Sequence, residues 1–192
     1  MSDVNVIDGI DYGPLAALVG TWKGDKGVDK APEPDGEEKN LYYETIIYEA
    51  IGDVDNAETQ NLAVLRYHQV VSRKSNDEVF HNETGYWMWD AATGTVMQSL
   101  SIPRGVALLA GGSVTEFDTS KEIVLEVKAT AGETTFGIVQ QPFMEKNAKT
   151  LSFCHTVSVE GDKMVYSEST MLDIYNKEYD HTDRNRLTRV VG

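Results

Sequence analysis

Residues 150–175, TLSFCHTVSVEGDKMVYSESTMLDIY, decide the fold. They hold two runs rich in aromatic and β-branched residues, separated by the segment EGDK at 160–163. Such side chains favour extended strands, and a short glycine-containing segment between two strand-like runs is typical of a hairpin turn. The stretch therefore predicts two antiparallel strands joined by a tight turn.

The same pattern repeats on both sides of this hairpin, for example in NLYYETIIYEAI (40–51), NLAVLRYHQVV (61–71) and EVFHNETGYWMWD (78–90). The best helix candidate is the short YGPLAALVG (12–20), which has Pro14 at its start and Gly20 at its end. Strand-like runs at a spacing of roughly ten residues predict an all-β protein, a closed up-and-down antiparallel β-barrel of about ten strands with a short N-terminal helix. Such a barrel encloses a cavity, so we expect a small ligand.

The length of 192 residues fits a single domain over 1–192. We expect a flexible N-terminus over 1–11. Two prolines, a Pro-Asp-Gly turn signal and clustered charge in VDKAPEPDGEEKN predict a long loop over 28–40.

Charge and composition narrow the partners. The formal net charge of −14 disfavours nucleic acid and anionic membrane surfaces. No apolar run approaches the roughly 20 residues of a membrane helix, and the acidic start lacks the features of a signal peptide, so we expect a cytoplasmic protein. The single cysteine, Cys154, rules out an internal disulfide. A homodimer is compatible with the sequence, which does not fix the oligomeric state.

The segment LAALVGTWKGDKG (15–27) leads from the short helix into the first long strand. Trp22 is expected to plug one end of the barrel, where an arginine of the last strand, Arg186 or Arg189, could stack on it. Trp87 and Trp89 share one face of their strand, and core packing is the favoured interpretation over a wall for a flat ligand.

Four segments occur together in a fixed order: GTWKG (20–24), HNETGYW (81–87), PRGVALLAGG (103–112) and a C-terminal strand with a histidine ten residues after a methionine. In this the chain resembles the nitrobindins, a haem-binding β-barrel family of the fatty-acid-binding-protein-like type, from about Leu15 to Val191. It departs from the family pattern where Pro103-Arg104-Gly105 replaces Pro-Thr-Gly. It also has one extra residue in the last strand, so the sequence leaves that strand's register open.

The resemblance implies a b-type ferric haem with His181 as the single axial iron ligand and Met171 packed against the porphyrin. Asp180 or Asp183 would orient the imidazole. Three further residues would contribute to the same pocket: His81, Ile102 and Arg104. The family chemistry would then be nitric oxide binding and peroxynitrite isomerisation, so the chain is an enzyme only if haem is bound.

The same residues also allow interpretations that involve no haem. His181 between two aspartates is also typical of a solvated turn, and His68 and His155 are expected to be structural. If Arg104, Arg184 and Arg186 point inward, they suit a carboxylate, which leaves open a non-catalytic carrier or sensor of a fatty acid or another apolar acid. An enzyme with acid/base residues in the barrel ranks last, because no paired constellation is visible.

Overall fold

The computed structural model describes residues 5–190, and strands account for most of them. The strands are β1 (Val6–Ile7), β2 (Ile10–Asp11), β3 (Gly20–Glu33), β4 (Gly36–Asn56), β5 (Gln60–Arg73), β6 (Val79–Asp90), β7 (Thr95–Ile102), β8 (Val106–Ser113), β9 (Ile123–Ala131), β10 (Gly137–Gln140), β11 (Ala148–Glu160), β12 (Lys163–Ile174) and β13 (Lys177–Arg189). A 3₁₀ helix spans Gly13–Leu18, and an α-helix, α1, spans Pro142–Asn147.

Strands β3 to β13 form a closed barrel of eleven strands in the order β10-β8-β7-β6-β5-β4-β3-β13-β12-β11-β9. Without β10, each strand lies beside its neighbour in sequence, which confirms the predicted up-and-down barrel. The short β10 pairs antiparallel with β8 and parallel with β9, so the barrel is mixed rather than purely antiparallel. Strands β8 and β9 pair directly only at Gly111 and Lys128, and β10 covers the backbone edges that diverge beyond that point.

The predicted loop over 28–40 was wrong. These residues form the ends of β3 and β4, which pair from Val28–Leu41 to Glu33–Gly36 around a turn at Pro34 and Asp35. The pairing of β3 with β13 stops at Lys30, so the tip of the hairpin has a free edge. An edge strand tolerates Pro32, because its missing N–H leaves no partner unsatisfied. The composition of an exposed hairpin tip therefore looked like that of a loop.

Two predictions concern the N-terminal region: a flexible segment over 1–11 and a short helix after it. Residues 1–4 of the predicted flexible segment lie outside the described residues, whereas β1 and β2 pair as a small ribbon over the rest of it. The predicted short helix is present as the 3₁₀ helix, with Pro14 near its start. Among the described residues, no helix combines the length and apolar character needed to cross a membrane.

One end of the barrel is closed by Trp22, whose side chain is fully buried. Its Nε1–H donates to the carbonyl of Leu18 at 2.6 Å, which ties the plug to the end of the 3₁₀ helix. The guanidinium carbon of Arg189 lies 4.2 Å from the Trp22 ring centroid, and the same group donates to the carbonyls of Ala17 and Val19. Arg189, and not Arg186, is therefore the stacking arginine. Trp87 and Trp89 belong to the same core, as favoured from the sequence.

Candidate functional site

A cavity of about 430 Å³ opens toward the barrel end opposite the Trp22 plug. This volume falls in the range of small-molecule pockets, about 300–1,000 Å³. Its walls carry apolar side chains from four elements, namely Leu100, Ile102, Val106, Leu108, Phe143 and Leu172. Phe143 and Met144 come from α1, which the sequence did not reveal and which borders the mouth.

His181 lies in the lining of this cavity. Along β13 the residues at 181, 183, 185 and 187 face inward, with Asn185 and Leu187 fully buried below the cavity. Strand β13 pairs with β12 without a register shift, and the bulge at its other edge lies in β3, between Gly24 and Gly27, so the alternation of β13 is not interrupted. The register that the sequence left open therefore directs the histidine inward, and Arg184 and Arg186 point outward into solvent.

The imidazole of His181 is held by two carboxylates. Its Nε2–H donates to Asp29 Oδ1 at 2.7 Å, and Asp183 Oδ2 lies 3.4 Å from the same nitrogen. Asp29 is only 2% exposed, and its other oxygen accepts from Asn40 Nδ2 at 2.8 Å. Burial alone lowers the pKa of His181, but these two carboxylates outweigh it, and the pKa lies above its ordinary value. The pair His181–Asp29 is thus a polar anchor on the β3–β13 wall.

Two expected neighbours of His181 are placed differently. Asp180 does not orient the imidazole, because its carboxylate faces outward and accepts from Ser169 Oγ at 2.6 Å. Met171 does not reach the cavity: Thr170 and Leu172 line it, and alternation along β12 turns Met171 to the outer face. Its expected packing against a porphyrin is therefore wrong.

The remaining predicted pocket residues are all part of the cavity lining, namely His81, Ile102 and Arg104. His81 is half-buried, and its Nε2 lies 3.3 Å from Glu83 Oε2. Arg104 lies on the rim with Nη2 at 3.5 Å from the carbonyl of Phe80. Arg73, which the sequence did not single out, also lines the cavity and stacks on the Phe80 ring at 4.5 Å.

The floor of the cavity is a polar layer that the sequence did not predict. Glu44 is buried there and accepts from Asn185 Nδ2 at 2.6 Å, Gln69 Nε2 at 2.7 Å and Tyr166 O–H at 3.2 Å. Burial raises the pKa of Glu44 to about 7 despite these donors. The signal for it was alternation in NLYYETIIYEAI, which places Glu44 on the same face as Tyr42.

The cavity is rich in carboxyl groups. Five acidic residues line it, Asp29, Glu38, Glu83, Glu168 and Asp183, against the two arginines on the rim. Burial raises the pKa of Asp183 to about 6 and that of Glu168 well above its ordinary value. These two carboxyls therefore carry less negative charge at neutral pH than they would in water.

The other two histidines are structural, as expected. His68 is exposed and pairs with Asn82 Oδ1 at 3.0 Å on the outer face of the barrel. His155 is buried in the core, and burial lowers its pKa to about 4, so the ring is neutral. Cys154 is half-buried and points to the opposite side of β11 from His155.

The sequence matches the family described as the THAP4-like, heme-binding beta-barrel domain over residues 11–189. Among solved structures, that of Rv2717c from M. tuberculosis is similar in fold, with a TM-score of 0.70 and 21% sequence identity. The likeness covers 92% of this chain and 95% of that one. No curated protein matches the sequence significantly. At this identity the structural likeness shows the fold alone.

Proposed function

Because the chain belongs to the THAP4-like, heme-binding beta-barrel domain family, we propose that its cavity holds a b-type ferric haem with His181 as the axial ligand. The observation that carries the proposal is the inward His181 with the buried Asp29 behind it. Histidines that bind metals usually donate their second ring N–H to a carboxylate, which fixes the tautomer and orientation of the ring. With Nε2–H directed at Asp29, Nδ1 is the nitrogen left for the iron.

The rest of the cavity suits the same ligand. Its apolar walls match the faces of a porphyrin, and α1 adds Phe143 at the mouth. Arg73 and Arg104 on the rim provide guanidinium groups, which bind carboxylates such as propionates through charge-assisted hydrogen bonds. A histidine for the iron, apolar walls and cationic groups at the rim are the contacts that a bound haem would need, and their presence around one cavity supports the proposal.

Iron must compete with a proton for His181. A raised pKa keeps the imidazole protonated to higher pH, and a protonated nitrogen cannot bind a metal. Haem binding would therefore release a proton and strengthen as the pH rises. Asp29 has two opposing effects, since it orients the ring and also stabilises its protonated form.

The activities that we propose are nitric oxide binding and isomerisation of peroxynitrite to nitrate, which the bound ferric iron would supply. The protein's own residues would hold the iron from one side through His181, limit the access of water with the apolar walls, and place charged groups around the mouth. Nothing in this arrangement requires an acid/base residue of the usual catalytic type.

A carrier of fatty acids is less well supported. Arg184 and Arg186, which could have held a carboxylate from within, point outward. Five acidic residues line the cavity against two arginines, Arg73 and Arg104, which lie on the rim, so the lining has no arginine cluster of the kind that would hold a fatty-acid carboxylate inside the barrel.

The proposal is tested by titrating hemin into the purified protein while the Soret band is recorded. We expect a sharp, saturable band for the wild type and for His68→Ala, which removes an exposed histidine on the outer face. His181→Ala should lose it. Equal hemin affinity in His181→Ala and the wild type would contradict the proposal. Stopped-flow decay of peroxynitrite with the loaded proteins then tests the activity separately.

A further inference from the structure

A chain of buried hydrogen bonds runs from the core to the cavity through β11, β7, β5 and β6. His155 Nδ1 lies 2.9 Å from Gln98 Oε1, Gln98 Nε2 lies 3.0 Å from Tyr67 O–H, and Tyr67 O–H lies 2.5 Å from Glu83 Oε1. An amide nitrogen only donates, so the Tyr67 oxygen accepts from Gln98 and its own proton goes to Glu83. By the same rule, neutral His155 donates to the Gln98 oxygen. Every donor in the chain therefore points toward Glu83.

This polarity makes Glu83 a buried anion. The residue is 4% exposed. Burial by itself raises its pKa, but hydrogen bonds from His81 and Tyr67 outweigh burial and hold the pKa below its ordinary value. A buried charge is stable only when it is paired. Within residues 5–190, the ion-pair partner of Glu83 is His81, whose Nε2 lies 3.3 Å from Oε2.

His81 itself remains in contact with the cavity. Its side chain is 31% exposed and lines the cavity. Burial and the charge of Arg104 lower its pKa, whereas Glu83 and Asp183 raise it, and the net result lies above the ordinary value. Among the described residues, its only hydrogen bond is the one that Nε2 makes to Glu83. The second ring nitrogen is therefore available to a ligand.

We propose that His81 is a cationic hydrogen-bond donor to an anionic group of the cavity's ligand, held in that state by the buried carboxylate of Glu83. Strand β6 is separated from β13 by β5, β4 and β3, so His81 and His181 approach the cavity from different walls. His181 would hold the iron, and His81 would contact a small anion or oxyanion bound beside it. This inference deepens the proposed function. It rests on that function only in assuming that the anion also contacts a haem iron; the charge and the donor role of His81 do not depend on haem.

The first test needs no haem. Ring ¹⁵N chemical shifts of ¹⁵N-histidine-labelled protein report whether His81 is charged at pH 7, and nitrate is then added as an oxyanion probe. We expect an imidazolium whose signals shift saturably with nitrate in the wild type. The same holds for the control Glu49→Gln, which alters an exposed carboxylate of β4. In Glu83→Gln, His81 should be neutral and insensitive to nitrate. A neutral His81 in the wild type, or no response to nitrate, would overturn the proposal.

The second test uses the hemin-loaded ferric protein and azide as the probe. A hydrogen bond to a charged group contributes enough that its loss should weaken azide binding about tenfold or more in His81→Gln and in Glu83→Gln. Hemin should still bind to both variants, since His181 is intact, and azide affinity is compared on fully loaded protein. Unchanged azide affinity in His81→Gln refutes the donor role. If hemin does not bind to the wild type at all, the haem proposal fails, and the nitrate titration still decides the role of His81.

Discussion

Glu44 on the cavity floor should make the protein less stable as the pH rises. Its pKa lies at about 7 in the folded protein, against an ordinary value of 4.5, because burial disfavours the charged form. The folded state therefore keeps its proton over a range in which the unfolded chain loses it. The stabilising contribution of protonated Glu44 is complete below pH 4.5 and is lost as the pH rises to about 7.

The magnitude follows from that interval. At about 1.4 kcal/mol per pH unit, the interval between 4.5 and about 7 corresponds to roughly 3 kcal/mol of unfolding free energy. Glu44 is only 2% exposed, so screening by solvent takes little from this figure. Most of the loss falls between pH 5 and pH 8.

The assay is urea unfolding of the wild type and of Glu44→Gln at pH 5, 6, 7 and 8. Glutamine does not titrate, and any fixed cost of misplacing its amide among the donors of Asn185, Gln69 and Tyr166 is the same at every pH. The free energy of Glu44→Gln minus that of the wild type should grow by about 2–3 kcal/mol from pH 5 to pH 8. A pH-independent difference for Glu44→Gln would refute the reasoning.

Three further outcomes are expected. Arg189→Met should lower the unfolding free energy measured in urea by about 2–4 kcal/mol, with hemin affinity unchanged. The variant lacks the guanidinium group that stacks on Trp22 and donates to carbonyls at the end of the 3₁₀ helix. A loss below about 0.5 kcal/mol would show that the stacking does not stabilise the fold. Gly85→Ala should lower the unfolding free energy by about 3 kcal/mol or more, because a Cβ at this position collides with the backbone oxygen of Ser99. Gly36→Ala is the control, because a Cβ there meets open space. Equal melting temperatures of the two variants would contradict this prediction. Hemin affinity should rise from pH 6 to pH 8 as His181 loses its proton, and Soret titrations that show no pH dependence would count against His181 as the ligand.

The barrel could be predicted because its information is local. Period-two alternation and turn residues mark each strand, and the helix–glycine–Trp22 segment marks the closed end. The prediction of a loop over residues 28–40 was wrong because prolines and charged residues are equally suited to a loop and to an exposed hairpin tip. Because Asp29 was assigned to this loop, its contact with His181 was not predicted. The two residues lie 152 positions apart in the chain, so no local pattern connects them.

Met171 shows how a spacing can mislead in a hairpin. Strands β12 and β13 are joined by a two-residue turn, Tyr175 and Asn176, both with positive φ of 56° and 60°. This turn makes Thr170 the cross-strand partner of His181, and directly opposed residues share a face. Met171 must then face the other way. Recognition of the turn, rather than the ten-residue spacing to the histidine, would have given the correct assignment.

The inward direction of His181 follows from the pairing of β13 with β12, in which Thr170 is its cross-strand partner. The same face of β13 continues through Asp183 to the buried Asn185 and Leu187, and the bulge at Gly24–Gly27 lies in the neighbouring strand β3. The polar floor around Glu44 and the chain ending at Glu83 likewise combine residues from several strands. Such sets become visible only when the barrel brings them together.

The identity of the axial ligand is tested most directly by electron–nuclear double resonance on the ferric, hemin-loaded protein labelled with ¹⁵N-histidine. We expect one strongly coupled axial ¹⁵N in the wild type and in His81→Gln, and its loss in His181→Ala. A coupling that persists in His181→Ala, or that disappears in His81→Gln, would contradict the assignment of His181 as the residue that holds the iron.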